Sequence, residues 1–163
     1  MKNKVFTNCF LIQSDKTGKP IKVCLAMKKR GFGVGMWNGS GGKPQEVESV
    51  SQASIREVEE ELGVKVIQMA KYAEIDFILQ KEETLVKMHA FLVTDWQGEL
   101  QETEEMKPEW FDIENIPYDK MWQADRQWLP LIFSGKKIKA CYTYACEGGE
   151  VETSEINEMD TFG

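Results

Sequence analysis

The sequence predicts one strand-rich α/β domain with few helices. Three observations predict it. The chain has 163 residues, within the roughly 100–200 residues of a single domain. Its apolar residues gather mainly in short β-branched runs bounded by turn formers, the pattern of strands. Only the stretch 49–63 combines helical spacing with a start and a stop signal of its own. Apolar residues make up 42% of the chain and aromatics 10%, enough to build a core. No internal repeat, low-complexity tract or linker interrupts it, so the domain is expected to span 1–163.

Each element follows from local chemistry. Runs 5–12 and 21–27 flank Ser14-Asp15-Lys16-Thr17-Gly18 and read as a hairpin. Glycines then cluster at 31–42. In the helix, Ser49 followed by Gln52 forms a capping-box pattern, and Gly63 fits a left-handed C-terminal cap. Ala53 or Ser54, Val58 and Leu62 recur about every four residues and form a narrow apolar stripe. Strands are expected at 75–79 and 85–93, joined by a charged turn at 80–83, and again at 110–113. A second helix is expected over 124–133, with a kink or late start imposed by Pro130. Runs 137–145 and 151–156 flank Gly148-Gly149 as a final hairpin.

Composition excludes several classes. Twenty Lys and Arg against 27 Asp and Glu give a net charge of −7, which repels a nucleic-acid polymer. The four cysteines, Cys9, Cys24, Cys141 and Cys146, lack C-x-x-C spacing, and His89 is the single histidine. That leaves too few soft ligands for an ordinary zinc site, so any metal is expected to be held by oxygen. With no signal peptide and no apolar run near 18 residues, the chain reads as a cytoplasmic, non-membrane protein with reduced thiols.

The helix carries the chemistry. At about 100° per residue, Glu57, Glu60 and Glu61 share one arc while Glu59 points elsewhere. Like charges at i,i+4 oppose the helix by roughly 0.2–0.5 kcal/mol per pair, and a cation offsets this. Mg²⁺ takes hard oxygen ligands and commonly bridges a few carboxylates to substrate phosphates. A bare E-x-x-E-E run is more often a solvated acidic face, but the wider spacing is specific. Gly42, Glu48, Arg56-Glu57-Val58, Glu60-Glu61 and Gly63-Val64 fill nine fixed positions of a 23-residue pattern.

This pattern resembles the Nudix box, and the chain is identified by it as similar to the Nudix hydrolases. The resemblance implies an α/β/α sandwich with a mixed sheet and a strand-loop-helix-loop catalytic unit. It also implies hydrolysis of a nucleoside diphosphate linked to another group, with Mg²⁺ or Mn²⁺ as cofactor. On the residues themselves, the glycines before the helix allow close backbone approach, and Arg56 can pair bidentately with Glu48 to pin the loop. By resemblance, Glu57, Glu60 and Glu61 bind the metal, with Glu105 and the carbonyl of Gly41 or Gly42 as further ligands. Glu61 or Glu105 then serves the attacking water, and the two are not ranked.

The segment Met27-Lys28-Lys29-Arg30-Gly31-Phe32-Gly33 with Gly35-Met36-Trp37-Asn38-Gly39 is dense in glycine and cations. It reads as a loop facing phosphate or base, with Lys28 available to a phosphate. It resembles the MutT-type oxidised-purine nucleoside triphosphatases of the same family, as do Glu105-Met106-Lys107-Pro108-Glu109-Trp110-Phe111, residues 116–122 and residues 128–131. That resemblance spans about residues 5–145. It implies that Asn38 reads the purine edge, Trp122 stacks on the base, Phe32 and Phe77 line the pocket, and Thr7 and Lys28 contact base or sugar-phosphate. An amide offers donor and acceptor, and an indole gives a stacking face worth about 1–3 kcal/mol per base.

One departure stands out. Where those relatives carry two adjacent aspartates, this chain has Ala124-Asp125, so oxidised guanine is expected as the main substrate and dual specificity is put in doubt. Ser40 also replaces an aromatic before Gly41-Gly42. The expectation is a monomeric hydrolase that converts an oxidised purine triphosphate such as 8-oxo-dGTP to monophosphate and pyrophosphate, a step in nucleotide-pool sanitation and so in DNA repair. The alternatives are another nucleoside diphosphate substrate, such as ADP-ribose or a dinucleoside polyphosphate, and a catalytically silent nucleotide-binding module.

Overall fold

The computed structural model describes residues 1–31 and 33–162. In chain order it contains strands β1 (Lys2–Ser14), β2 (Pro20–Lys28) and β3 (Trp37–Asn38), helix α1 (Val50–Leu62), strands β4 (Lys65–Leu79), β5 (Thr84–Gln97) and β6 (Met106–Asp112), helix α2 (Asp125–Phe133), and strands β7 (Lys137–Tyr144) and β8 (Val151–Met159). The sheet runs β3-β2-β1-β5-β4-β7-β8, with β6 paired to β2. It is mixed, with β1–β5 and β4–β7 parallel and the remaining pairs antiparallel, and β1 changes partner along its length. Residues from Lys2 to Leu11 pair in parallel with β5, while Ile12, Gln13 and Ser14 pair antiparallel with β2. The expected first hairpin is thus only three pairs long. Its turn is tied by Asp15, whose Oδ1 accepts from Thr17 N at 2.8 Å and Lys19 N at 3.1 Å.

Alternation along β1 builds the two cores. Cys9 and Leu11 point to one face with Phe91 and Val93, where Val58 and Leu62 of α1 cover them. Phe10 and Ile12 point to the other face with Ile75 and Leu92, covered by Trp128, Leu129, Ile132 and Phe133 of α2. Side chains two apart share a face, so the helices lie on opposite sides and the architecture is an α/β/α sandwich. Full burial of side chains such as Val58 and Leu62 contributes about 1.5–3 kcal/mol each.

Helix α1 has the caps its sequence predicts. Gln52 N donates to Ser49 Oγ at 3.1 Å and Ser49 N to Gln52 Oε1 at 2.8 Å. Gly63 closes the helix at φ 74°, its N–H donating to Glu59 O. Helix α2 begins at Asp125, without the late start expected from Pro130. The carbonyl that Pro130 cannot serve belongs to Arg126, and both residues are exposed, so the lost bond falls on the outer face of the helix rather than in the core.

Strand bounds differ more. β4 begins at Lys65, ten residues before the expected start at 75, because register shifts between Val66 and Ala73 break its period-2 pattern. β6 begins at Met106 and includes Pro108. It pairs with β2 alone, so the missing N–H falls on a sheet edge, where proline is tolerated. Two-residue β3 is too short to leave a periodic signal.

Candidate active site

The chain between β3 and α1 is laced to β1 before it reaches the helix. Cys9 and Ser40 exchange both backbone hydrogen bonds, and Thr7 N donates to Gly42 O at 2.9 Å. Thr7 Oγ1 accepts from Gly42 N at 3.1 Å and lies 3.2 Å from Gly42 O. Thr7, expected at the base or sugar-phosphate, therefore spends its hydroxyl on the loop. Gly42 itself is crowded against the helix: a Cβ there would lie 2.6 Å from Glu57 Cδ, so no side chain fits without moving one of them.

Arg56 is the hub of the unit. Its Nε and Nη2 meet Glu48 Oε2 and Oε1 at 2.7 and 2.9 Å, a bidentate pair, and Nη2 reaches Lys43 O at 3.2 Å. Nη1 donates to Glu57 Oε1 at 2.8 Å and Glu60 Oε2 at 3.2 Å. The Arg56 guanidinium holds the Glu48 carboxyl below its ordinary range, helped by Gln45 N–H. A planar fork with five donors suits this work, which an ammonium could not do.

The three glutamates differ in environment. Glu61 is 7% exposed. Its Oε1 accepts from Gly41 N at 3.1 Å, while its Oε2 is buried without a hydrogen-bond partner among the described residues. Burial, and then the Glu57 charge, push the Glu61 carboxyl up to about 8, against the pull of the Gly41 N–H, and the Glu105 charge adds to the rise. Glu57 side-chain exposure is 18% and that of Glu60 is 58%. Among the described residues no three Asp, Glu, His or Cys side chains are gathered into a finished metal cage, since Glu57 and Glu60 turn to Arg56. Two touching carboxylates with an orphaned buried oxygen are nonetheless a site that a hard divalent cation would fit.

Glu105 sits across from this cluster on an exposed loop. It pairs with Arg30 Nη2 at 3.3 Å, and Lys29 N donates to its carbonyl at 2.8 Å. Lys29 Nζ meets Glu102 at 2.6 Å. These contacts clasp the glycine-rich loop to the start of β6. Lys28 ends β2, half-buried beside Gly31.

Of the residues expected at the base, Asp125 and Phe77 lie on the α2 side, whereas Asn38 pairs with Ala26 of the α1-side core. Asp125 is 7% exposed, and its Oδ1 accepts from Trp128 Nε1 at 3.0 Å. Burial pushes its carboxyl up to about 7, against the Trp128 indole and the Trp122 backbone. Trp122 is half-buried and packs so near Gly33 that a Cβ there would lie 3.3 Å from its ring. Asn38 is half-buried on β3 opposite Ala26. Phe77 stacks on Tyr142, centroids 5.8 Å apart at 18°. Phe32 lies outside the described residues. An open groove of about 460 Å³ between Gln123, Arg126, Gln127 and residues 151–154 includes none of the candidate residues.

Sequence reasoning missed the tyrosines. Tyr118, Tyr142 and Tyr144 all lie within the electrostatic reach of Asp125. The signal was present, two tyrosines at i,i+2 on one strand face, but nothing local tied them to an acid some 20 residues earlier. Asn8, which follows Thr7 on β1, places its Nδ2 3.6 Å from Met88 Sδ.

Comparison with known proteins shows the family of the chain. The model of the NUDIX domain matches residues 3–132. The chain is similar to the oxidized purine nucleoside triphosphate hydrolase of Danio rerio, 42% identical over 126 residues, covering 77% of this chain and 81% of that protein. The protein of the same name from Mus musculus is 36% identical over 144 residues, covering 88% and 92%. A crystal structure of a mutator MutT protein from Bacillus halodurans superposes with a TM-score of 0.81 at 22% identity, covering 94% of this chain and 97% of that one; at that identity it speaks for the fold alone.

Proposed function

The chain belongs to the NUDIX family, and we propose that it hydrolyses an oxidised purine nucleoside triphosphate, 8-oxo-dGTP foremost, to the monophosphate and pyrophosphate. One observation carries the reading: a cation-demanding acidic pair, Glu57 and Glu61, and a buried acid able to address a base, Asp125, occur in one chain. Two relatives, from Danio rerio and Mus musculus, bear the name of this activity. Enzymes of this family work with a divalent cation, and Mg²⁺ is the ion proposed here, with Mn²⁺ able to replace it.

Glu57, Glu60 and Glu61 with the Gly41 carbonyl would hold the ion, and Glu105 would add a ligand from the facing loop. When bound, the ion supplies charge neutralisation at the phosphates and a more acidic water. The chain does the rest. Arg56 and Glu48 fix the loop, Lys28 offers its ammonium to a phosphate, and Glu61 or Glu105 takes the proton of the attacking water. Trp122 stacks on the base, Phe77 walls the pocket and Asn38 reads the purine edge with Asp125. A carboxyl held protonated near neutral pH can donate a hydrogen bond that a carboxylate cannot. We place the chain as one domain acting as a monomer in the cytoplasm. The free state of all four cysteines agrees with that, and no helix among the described residues is long and apolar enough to cross a membrane.

The test is a hydrolysis panel of 8-oxo-dGTP, 2-hydroxy-dATP, dGTP and ADP-ribose with MgCl₂, with pyrophosphate and phosphate separated. The expected result is the highest kcat/KM on 8-oxo-dGTP with pyrophosphate released. Better turnover of ADP-ribose would reassign the substrate, and binding without turnover of any of the four would make the chain a silent module.

A further inference from the structure

The register leaves one uncovered patch on the α2 side of the sheet. Phe6 of β1 lies beside Met88 of β5, Val86 beside Phe77 of β4, and Asn8 beside Ala90. Residues two apart share a face, so these side chains continue the face of Phe10 and Leu92. Helix α2 closes that face as far as Ala90 and Ile75, which are fully buried, whereas Phe6, Asn8, Met88, Val86 and Phe77 are only half-buried. The patch is therefore open to a ligand. It adjoins the loop that meets the acidic cluster: the Lys43 ammonium lies 5.4 Å from the Phe6 ring centre, and a Cβ on Gly39 would collide with Asn8 Oδ1. Phe10, next along the same face, meets Trp128 edge-on at 6.0 Å, and Trp128 holds Asp125. Among the residues of the patch, Asn8 alone carries hydrogen-bonding groups in its side chain. Its Nδ2 meets only the Met88 thioether, a weak acceptor, and its Oδ1 has no donor among the described residues. An amide has two donors and an acceptor to satisfy, whereas leucine would suit this apolar face and leave nothing unpaired.

We propose that Asn8 is a further base-binding residue, its amide hydrogen-bonding the edge of a purine that rests on the patch of Phe6, Met88 and Phe77. The proposal rests on the reading of the chain as a purine nucleotide hydrolase. The apolar patch offers the surface on which a flat base can lie. The loop beside it runs from Gly39 to Lys43 and touches Glu57 at Gly42, so a nucleotide with its base here has its phosphates on the side of the acidic cluster. At the start of α2 only Asp125 is acidic, Ala124 being apolar, and Asn8 adds a polar contact from β1. A site that hydrogen-bonds a substrate group rejects the analogue that lacks it, because its own polar atom is then left unpaired.

The experiment compares wild type with Asn8→Leu, which keeps the size of the side chain and removes its hydrogen-bonding groups, and with Asn8→Ala, which adds no bulk near Gly39. Binding of 8-oxo-dGMP is measured by calorimetry without divalent ion. Kinetics on 8-oxo-dGTP are measured with MgCl₂, as is inhibition by inorganic tripolyphosphate, which has no base. A thermal melt of each protein accompanies them. Asn8→Leu is expected to melt at or above the wild-type temperature. In both variants 8-oxo-dGMP should bind about tenfold more weakly, the worth of roughly one hydrogen bond. KM for 8-oxo-dGTP should rise by a similar factor, while kcat and the inhibition by tripolyphosphate hold. Unchanged 8-oxo-dGMP affinity overturns the proposal. So does an equal loss for tripolyphosphate, or a fall confined to kcat, since either would mean that the substitution acts through the Gly39 loop. If wild type neither binds 8-oxo-dGMP nor hydrolyses a purine triphosphate, the reading of function falls, and this one with it. If wild type does both and the variants match it, only the role of Asn8 falls.

Discussion

Glu60 and Glu61 are sequence neighbours with opposite surroundings. Glu60 reaches solvent and holds Arg56 by a single bond, whereas Glu61 is buried with one orphaned oxygen. Glu60→Gln should therefore change stability by no more than about 0.5 kcal/mol while lowering kcat by about 100-fold or more through loss of a cation ligand. Pyrophosphate release beside a thermal melt checks both, and unchanged turnover would remove Glu60 from the machinery. Asp125 makes a different prediction. Its folded pKa is about 7 against an ordinary value near 3.8, so between those values the folded chain binds a proton that the unfolded chain has lost. Stability from this group is greatest at low pH and falls as pH rises toward 7, then levels. Asp125→Asn abolishes the titration, so the melting temperature of the variant relative to wild type should climb between pH 4 and pH 8. A flat difference would mean that the carboxyl is not held protonated.

At the scale of elements, the unit that matters is loop plus helix, and Gly42 is where the two touch. A methyl there would lie 2.6 Å from Glu57 Cδ, and the loop cannot yield easily because Thr7 holds Gly42 by both backbone and hydroxyl. Gly42→Ala should leave α1 intact, since the helix keeps its own caps, yet displace Glu57 and raise the Mg²⁺ concentration needed for half-maximal activity about tenfold or more. A normal Mg²⁺ titration would sink that claim. The same unit shows what the sequence makes legible. Ser49, Gln52 and Gly63 are local signals, and α1 lies where they put it. The reach of Arg56 to Glu48 was legible as well, because Glu48 directly precedes the cap of the helix that carries Arg56. The start of β4 was not, since bulges between Val66 and Ala73 erase the alternation that marks a strand. Nor was the approach of Tyr142 to Asp125, which depends on β7 pairing with β4 under α2. Contacts between elements have no short-range signature, and those are the contacts from which the base side of the site is made.

For the whole molecule, the acidic cluster sets function against stability. Glu57 and Glu61 meet on a chain of net charge −7, and without a cation Glu61 tolerates the Glu57 charge by holding its proton up to about 8, a proton that a bound ion would displace. An ion that binds only the folded state stabilises it by RT ln(1 + [L]/Kd), about 2.7 kcal/mol at one hundred times Kd. In a chain of this size each kcal/mol moves Tm by roughly 2–4 °C. MgCl₂ without any nucleotide should thus raise Tm by roughly 5–10 °C and saturate. Simple screening of the net charge would also help the fold, so NaCl at equal ionic strength is the necessary reference. Glu57→Gln separates the two effects: it removes a cation ligand, so its Mg²⁺ shift should shrink toward the NaCl value. If MgCl₂ does no more than NaCl for wild type, the acidic pair is not a cation site and the catalytic assignment built on it fails. If the shift survives in Glu57→Gln, the ion binds elsewhere and Glu57 is only a partner of Arg56.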